Sequence, residues 1–177
     1  MPLIDRQDAA LLLIDFQSRL MPAIDGGAAT IANAKRLMQA ALKFSVPLLF
    51  TEENSKGLGG TLPELEPGTS SVAYKMTFDA CLSSDFQERL PQPRNLVVAG
   101  CEAHVCVLQT VMGLMRAKRH IFLVRDAVGS RRAESKETAI QRMAQNGAEI
   151  VTTEMVLFEW LATAEDNRLN DVIALIK

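Results

Sequence analysis

The stretch Ala9-Ala10-Leu11-Leu12-Leu13-Ile14-Asp15 decides how the chain folds. Six apolar residues run without alternation and stop at a carboxylate. A strand with one wet face alternates apolar and polar residues, whereas an unbroken apolar run suits a strand buried on both faces, as in parallel sheets. The pattern then repeats downstream. Residues 29–44 set Ile31, Ala34, Leu37, Met38, Ala41 and Leu42 at helical spacing. Val46-Pro47-Leu48-Leu49-Phe50 is a second strand, with Pro47 tolerated near its start. Further short apolar strands follow at Val72–Lys75, Leu96–Gly100, Ile121–Val124 and Ala148–Val151. Helices are expected over 79–90, stopped by Pro91, over 106–118, over 133–146, closed by Asn146-Gly147, and over 154–177. Alternating strands and helices predict an α/β domain, a parallel sheet covered on both faces.

The rest of the sequence fits that frame. A chain of 177 residues with 48% hydrophobic and 23% charged residues suits one domain, 1–177, around one core. A net charge of −2 gives no general attraction to nucleic acid or anionic lipid. No apolar run approaches the roughly 20 residues of a membrane span, and the N-terminus lacks the pattern of a signal peptide. Three cysteines fit neither a disulfide framework nor paired zinc ligands, so a reducing, cytoplasmic setting is expected. Residues 52–70 hold Gly57, Gly59, Gly60, Pro63, Pro67 and Gly68 and read as a long loop. Its Gly57-Leu58-Gly59-Gly60 matches no phosphate-loop spacing and is expected to act as a flexible lid.

In open α/β sheets ligands bind beyond the carboxyl ends of the strands. Asp15 ends the first strand, Lys75 the third, and Cys106 follows the fourth. Asp126 ends the fifth, but Asp126-Ala127-Val128-Gly129-Ser130 reads as a turn into a helix cap. Cys106 falls in the first turn of a helix, where free backbone N–H groups and the dipole favour the thiolate, and a nearby lysine favours it further. The plainer reading is a buried, inert cysteine. His104, two residues from Cys106, sits in a tight turn that suits no Cys–His pair, and His120, the other histidine, opens a buried strand. No metal-ligand spacing is present, and no metal or cofactor is expected.

Leu12-Leu13-Ile14-Asp15-Phe16-Gln17, Tyr74-Lys75 before Phe78, and Val98-Ala99-Gly100-Cys101-Glu102-Ala103-His104-Val105-Cys106 resemble, in order, the three signature segments of isochorismatase-like cysteine hydrolases. Thr51-Glu52-Glu53-Asn54-Ser55-Lys56-Gly57-Leu58-Gly59 and the form of the cysteine turn are most similar to the branch of isochorismatase domain-containing proteins. The resemblance implies a three-layer αβα sandwich with a six-stranded, parallel, Rossmann-like sheet, usually in homo-oligomers. It implies an Asp15–Lys75–Cys106 triad and a cis peptide between Cys101 and Glu102. It also implies an oxyanion hole from the N–H groups of Glu102 and Cys106. Nicotinamidases of this family carry an Asp-x-His metal motif where this chain has Thr51-Glu52-Glu53-Asn54. Some members acting on isochorismate lack the cysteine, so its presence here points to amide or carbamoyl hydrolysis. The expected substrate is a small molecule, in a pocket shaped by Phe16, Leu20, Met21 and the 52–60 loop. The rival expectations are a non-catalytic binding or scaffold protein and a thiol redox sensor pairing Cys101 with Cys106.

Overall fold

The computed structural model describes residues 3–65 and 71–177. Pro67 and Gly68, part of the expected loop, lie outside the described residues. Six strands, β1 (Ala9–Ile14), β2 (Leu48–Glu53), β3 (Ser71–Lys75), β4 (Asn95–Cys101), β5 (His120–Gly129) and β6 (Glu149–Val151), form one sheet in the order β3-β2-β1-β4-β5-β6. Every neighbouring pair is parallel. The helices are α1 (Gly27–Phe44), α2 (Ser55–Leu58), α3 (Ser84–Arg89), α4 (Leu108–Arg116), α5 (Ala133–Gln145), α6 (Thr153–Leu161) and α7 (Leu169–Ile176).

All six residues of β1 are buried, as an unbroken apolar run requires. Leu11 and Leu13 join a core with residues of α1, α6 and α7; Leu12 and Ile14 join a second with residues of α3, α4 and α5. The period of two along the strand thus feeds both helical layers. Each fully buried leucine or isoleucine contributes about 1.5–3 kcal/mol of gross apolar stabilisation. Among the described residues no helix is long and apolar enough to cross a membrane.

The chain leaves β1 for β2 on one side and later returns to lay β4 on the other, which puts the topological switch point between β1 and β4. The backbones are closest there. A Cβ on Gly100, which has φ +151°, would stand 2.6 Å from the Ile14 Cβ and 3.0 Å from its carbonyl carbon. Only glycine lets β4 run this close to the end of β1.

Several expected boundaries move. The second strand extends to Glu53 rather than ending at Phe50, because Thr51 and Glu52 are buried. The glycine segment is no free lid: Gln17 Nε2 donates to the Gly59 carbonyl at 2.6 Å, Ser18 N to that of Gly60 at 2.9 Å, and Arg19 N to that of Leu58 at 2.9 Å. The helix expected over 79–90 splits into a 3₁₀ turn, Ala80–Leu82, and α3, because the Ser83 hydroxyl caps α3. The helix expected from 106 begins earlier, as a π-helical turn at Ala103–Val107 leading into α4. The fifth strand passes through Asp126, whose carboxylate accepts from Thr153 N at 2.8 Å and caps α6 rather than a local turn. The helical tail is broken between Leu161 and Leu169. Leu157, Trp160 and Leu161 of α6 are buried against the sheet, and Phe158 beside them is exposed.

Candidate active site

Asp15 is the first residue past β1, with φ +53°, a left-handed conformation that aspartate tolerates better than most residues. Its N–H donates to the Thr51 carbonyl at 3.1 Å, which ties the turn to β2. Both carboxylate oxygens have partners. Thr51 Oγ1 donates to Oδ1 at 2.6 Å, and Lys75 Nζ donates to Oδ2 at 2.7 Å. Lys75 reaches from the end of β3, and both charged side chains are wholly buried. An ion pair so far from water holds only with close geometry and its remaining lone pairs satisfied, which Thr51 helps to do.

Cys106 is the fourth residue of the π-helical turn and is 7% exposed. Asp15, Glu53, Glu102, Cys106 and Arg131 face one cavity of about 340 Å³. Leu20, Ala23, Leu58, Phe78 and Val105 are its apolar lining. The peptide between Cys101 and Glu102 is cis. The Glu102 carboxylate turns to Arg131, accepting from its backbone N and its Nε at 3.0 Å each.

The thiol is the main departure from expectation. Instead of favouring the thiolate, the surroundings push the Cys106 pKa up. Burial is the largest cause; the charge of Asp15 comes next, and a hydrogen bond to that carboxylate adds to it, while Lys75 pulls the other way. The helix-start argument fails because the site is desolvated and a carboxylate lies beside the sulfur. At rest the group is therefore a thiol beside a carboxylate.

The structure thus brings Asp15, Lys75 and Cys106 together. Leu20 lines the cavity as expected, but Phe16 and Met21 do not: they pack into the core beside α1, at 0% and 3% exposure. Cys101 belongs to the core on the α1 face and Cys106 to that on the α4 face, so the sheet stands between the thiols that a redox switch would join. His104 Nδ1 pairs with Ser130 Oγ at 3.0 Å, and His120 lies against Asn95 and Glu149. Among the described residues no three His, Cys, Asp or Glu side chains gather as metal ligands. A larger cavity of about 700 Å³ lies between residues 3–7 and α6. Its Arg6 is bound to Asp166 and its Glu159 to Ile4 N, and among the described residues no nucleophile lines it.

The sequence reading gave Thr51 no role and placed Glu53 only within the pocket-shaping 52–60 loop, because β2 was ended too early. The available signal was register: Thr51 stands opposite Ile14, and Glu53 opposite Lys75. Thr51→Val keeps the shape but leaves Asp15 Oδ1 without its donor, and should cost about 1–3 kcal/mol. Urea denaturation checks this, with Thr51→Ser expected to stay near wild type; equal stability of the valine variant would show that the hydroxyl is dispensable.

A parallel α/β sheet with a buried Asp–Lys pair beside a cysteine, at the carboxyl ends of its strands, defines the class of protein. The Isochorismatase domain family model matches residues 9–155, and the chain belongs to that family of hydrolases. It is 31% identical to isochorismatase domain-containing protein 2 of Xenopus laevis over 98% of this chain and 85% of that one. Among solved structures, the MAR1 ribonuclease of Caenorhabditis elegans superposes with a TM-score of 0.93 at 31% identity, covering 99% of this chain and 92% of the other. The YcaC gene product of Escherichia coli, described as an octameric hydrolase of unknown specificity, gives 0.88 at 26% identity, over 99% and 88%.

Proposed function

We propose that the chain hydrolyses a small amide or carbamoyl C–N bond through an acyl-enzyme on Cys106. The supporting observation is the shared cavity, in which the Cys106 thiol lies next to a carboxylate whose charge Lys75 compensates. Asp15 takes the thiol proton as sulfur attacks the carbonyl carbon. The N–H groups of Glu102 and Cys106 receive the carbonyl oxygen as it becomes anionic. Collapse breaks the C–N bond, and Asp15 returns the proton to the departing nitrogen. Asp15 then draws a proton from water, which attacks the thioester and frees the acid and Cys106. Lys75 balances the changing charge on Asp15 throughout. No cofactor enters these steps.

A cavity of about 340 Å³ matches a small molecule. Polynucleotide cleavage, suggested by the name of the nematode neighbour, fits less well: net charge is −2, and among the described residues the one cation lining the cavity, Arg131, is committed to Glu102. The octameric bacterial relative supports assembly into a homo-oligomer, and three free thiols support a cytoplasmic setting. Sedimentation and fractionation test these two points. The test of the reaction is intact-mass spectrometry of protein mixed with a panel of small amides and carbamoyl compounds. An acyl adduct should map to Cys106 and vanish in Cys106→Ala together with turnover. Turnover that survives Cys106→Ala would end the proposal.

A further inference from the structure

Among the described residues, four charged side chains line the cavity at Cys106, and three of them are already neutralised. Asp15 is bound to Lys75 at 2.7 Å, and Glu102 to Arg131 at 3.0 Å. Glu53 is the fourth. Its backbone is held on both sides by Gln17, whose amide donates to the Glu53 carbonyl at 2.9 Å and accepts from the Glu53 N–H at 2.8 Å. Among the described residues its carboxylate has no ion-pair or hydrogen-bond partner. The cavity therefore carries one uncompensated negative charge beside the nucleophile. Partial burial already disfavours that charge, which raises the Glu53 pKa; Lys75 lowers it and Asp15 raises it further. A ligand cation would relieve this desolvation, and a ligand carboxylate would add repulsion.

We propose that Glu53 selects the substrate: it receives a positively charged nitrogen group carried near the scissile carbonyl. This rests on the acyl-enzyme reading above and narrows the substrate class to small cationic amides or carbamoyl compounds. The roles of the two carboxylates differ because their partners differ. Asp15, bound by two donors, handles the proton, and Glu53, bound by none, is left to the ligand.

Charge-matched thiol reagents test this without a known substrate. Cys106 is treated with methanethiosulfonate ethylammonium or methanethiosulfonate ethylsulfonate, and each rate, read by peptide mass spectrometry, is divided by that for β-mercaptoethanol. One unpaired charge within several ångströms of the sulfur should favour the cation by about tenfold over the anion. E53Q should remove most of that preference, and E53D, which keeps the charge, should retain it. E53A gives the same readout should E53Q fold poorly. A preference unchanged in E53Q or E53A would overturn the assignment of Glu53 while leaving Cys106 as nucleophile. If neither reagent modifies Cys106, the acyl-enzyme reading falls, and this inference with it.

Discussion

Asp15→Asn should abolish hydrolysis and at the same time make the Cys106 thiol more acidic. The two effects usually run together, since a more acidic thiol is a more available nucleophile. Here they separate, because Asp15 raises the thiol pKa by its charge and its hydrogen bond, while in the proposed mechanism it is also the proton acceptor. Removing the carboxylate deletes these two upward causes, with burial and the Glu53 charge remaining, and leaves Lys75 without a counter-ion beside the sulfur. Alkylation by iodoacetamide should therefore move to lower pH and become faster at neutral pH. Turnover should still fall by at least about a thousandfold, because no group remains to carry the proton to the leaving nitrogen or to activate water. Both are read on one preparation, by the pH dependence of alkylation at Cys106 and by the hydrolysis rate. Alkylation that shifts to higher pH would contradict the stated cause of the thiol's low acidity. Retained turnover would remove Asp15 from the mechanism.

Lys75→Met should be among the most destabilising single substitutions in the protein. The side chains of both partners are wholly buried, so the change leaves the Asp15 charge uncompensated out of reach of water. Breaking such a pair from one side costs about 3–5 kcal/mol, whereas removing both charges often costs little. The double variant Lys75→Met with Asp15→Asn should therefore be more stable than Lys75→Met alone, although inactive. Urea denaturation of the two single variants and the double completes the cycle. Simple addition of the single losses would show that the two groups do not depend on each other.

Much of this was legible in the sequence, and the misses share a cause. Continuous apolar runs such as Ala9–Ile14 mark strands buried on both faces, so the six strands and their helical cover could be read directly. Asp15, Lys75 and Cys106 stood out as candidates because each lies at or beyond a strand end where α/β sheets bind ligands. What could not be read depends on partners distant in sequence. Thr51 and Glu52 are polar yet buried, because Asp15 and Thr61 give their side chains partners, so β2 seemed to stop at Phe50. Phe16 looked like pocket lining because it adjoins Asp15, but the alternation of the chain turns it into the opposite core. The burial of Trp160 likewise depends on a distant partner: α1 supplies Phe44, which meets it edge to face at 6.4 Å. The acidity of Cys106 was misjudged for the same reason, since local helix geometry says nothing of a carboxylate ninety-one residues earlier in the chain.

The bracket that Gln17 places around Glu53 separates two jobs that one residue often carries. The backbone at position 53 is fixed by another residue's amide, through its own N–H and carbonyl. The Glu53 side chain therefore has no part in holding the segment in place. Whatever stands at that position inherits the same mounting and changes only the face shown to a ligand. If Glu53 selects the substrate as proposed, such an arrangement makes recognition separately adjustable: a single codon change there redirects the site toward neutral or anionic compounds with the backbone mounting of β2 left as it is.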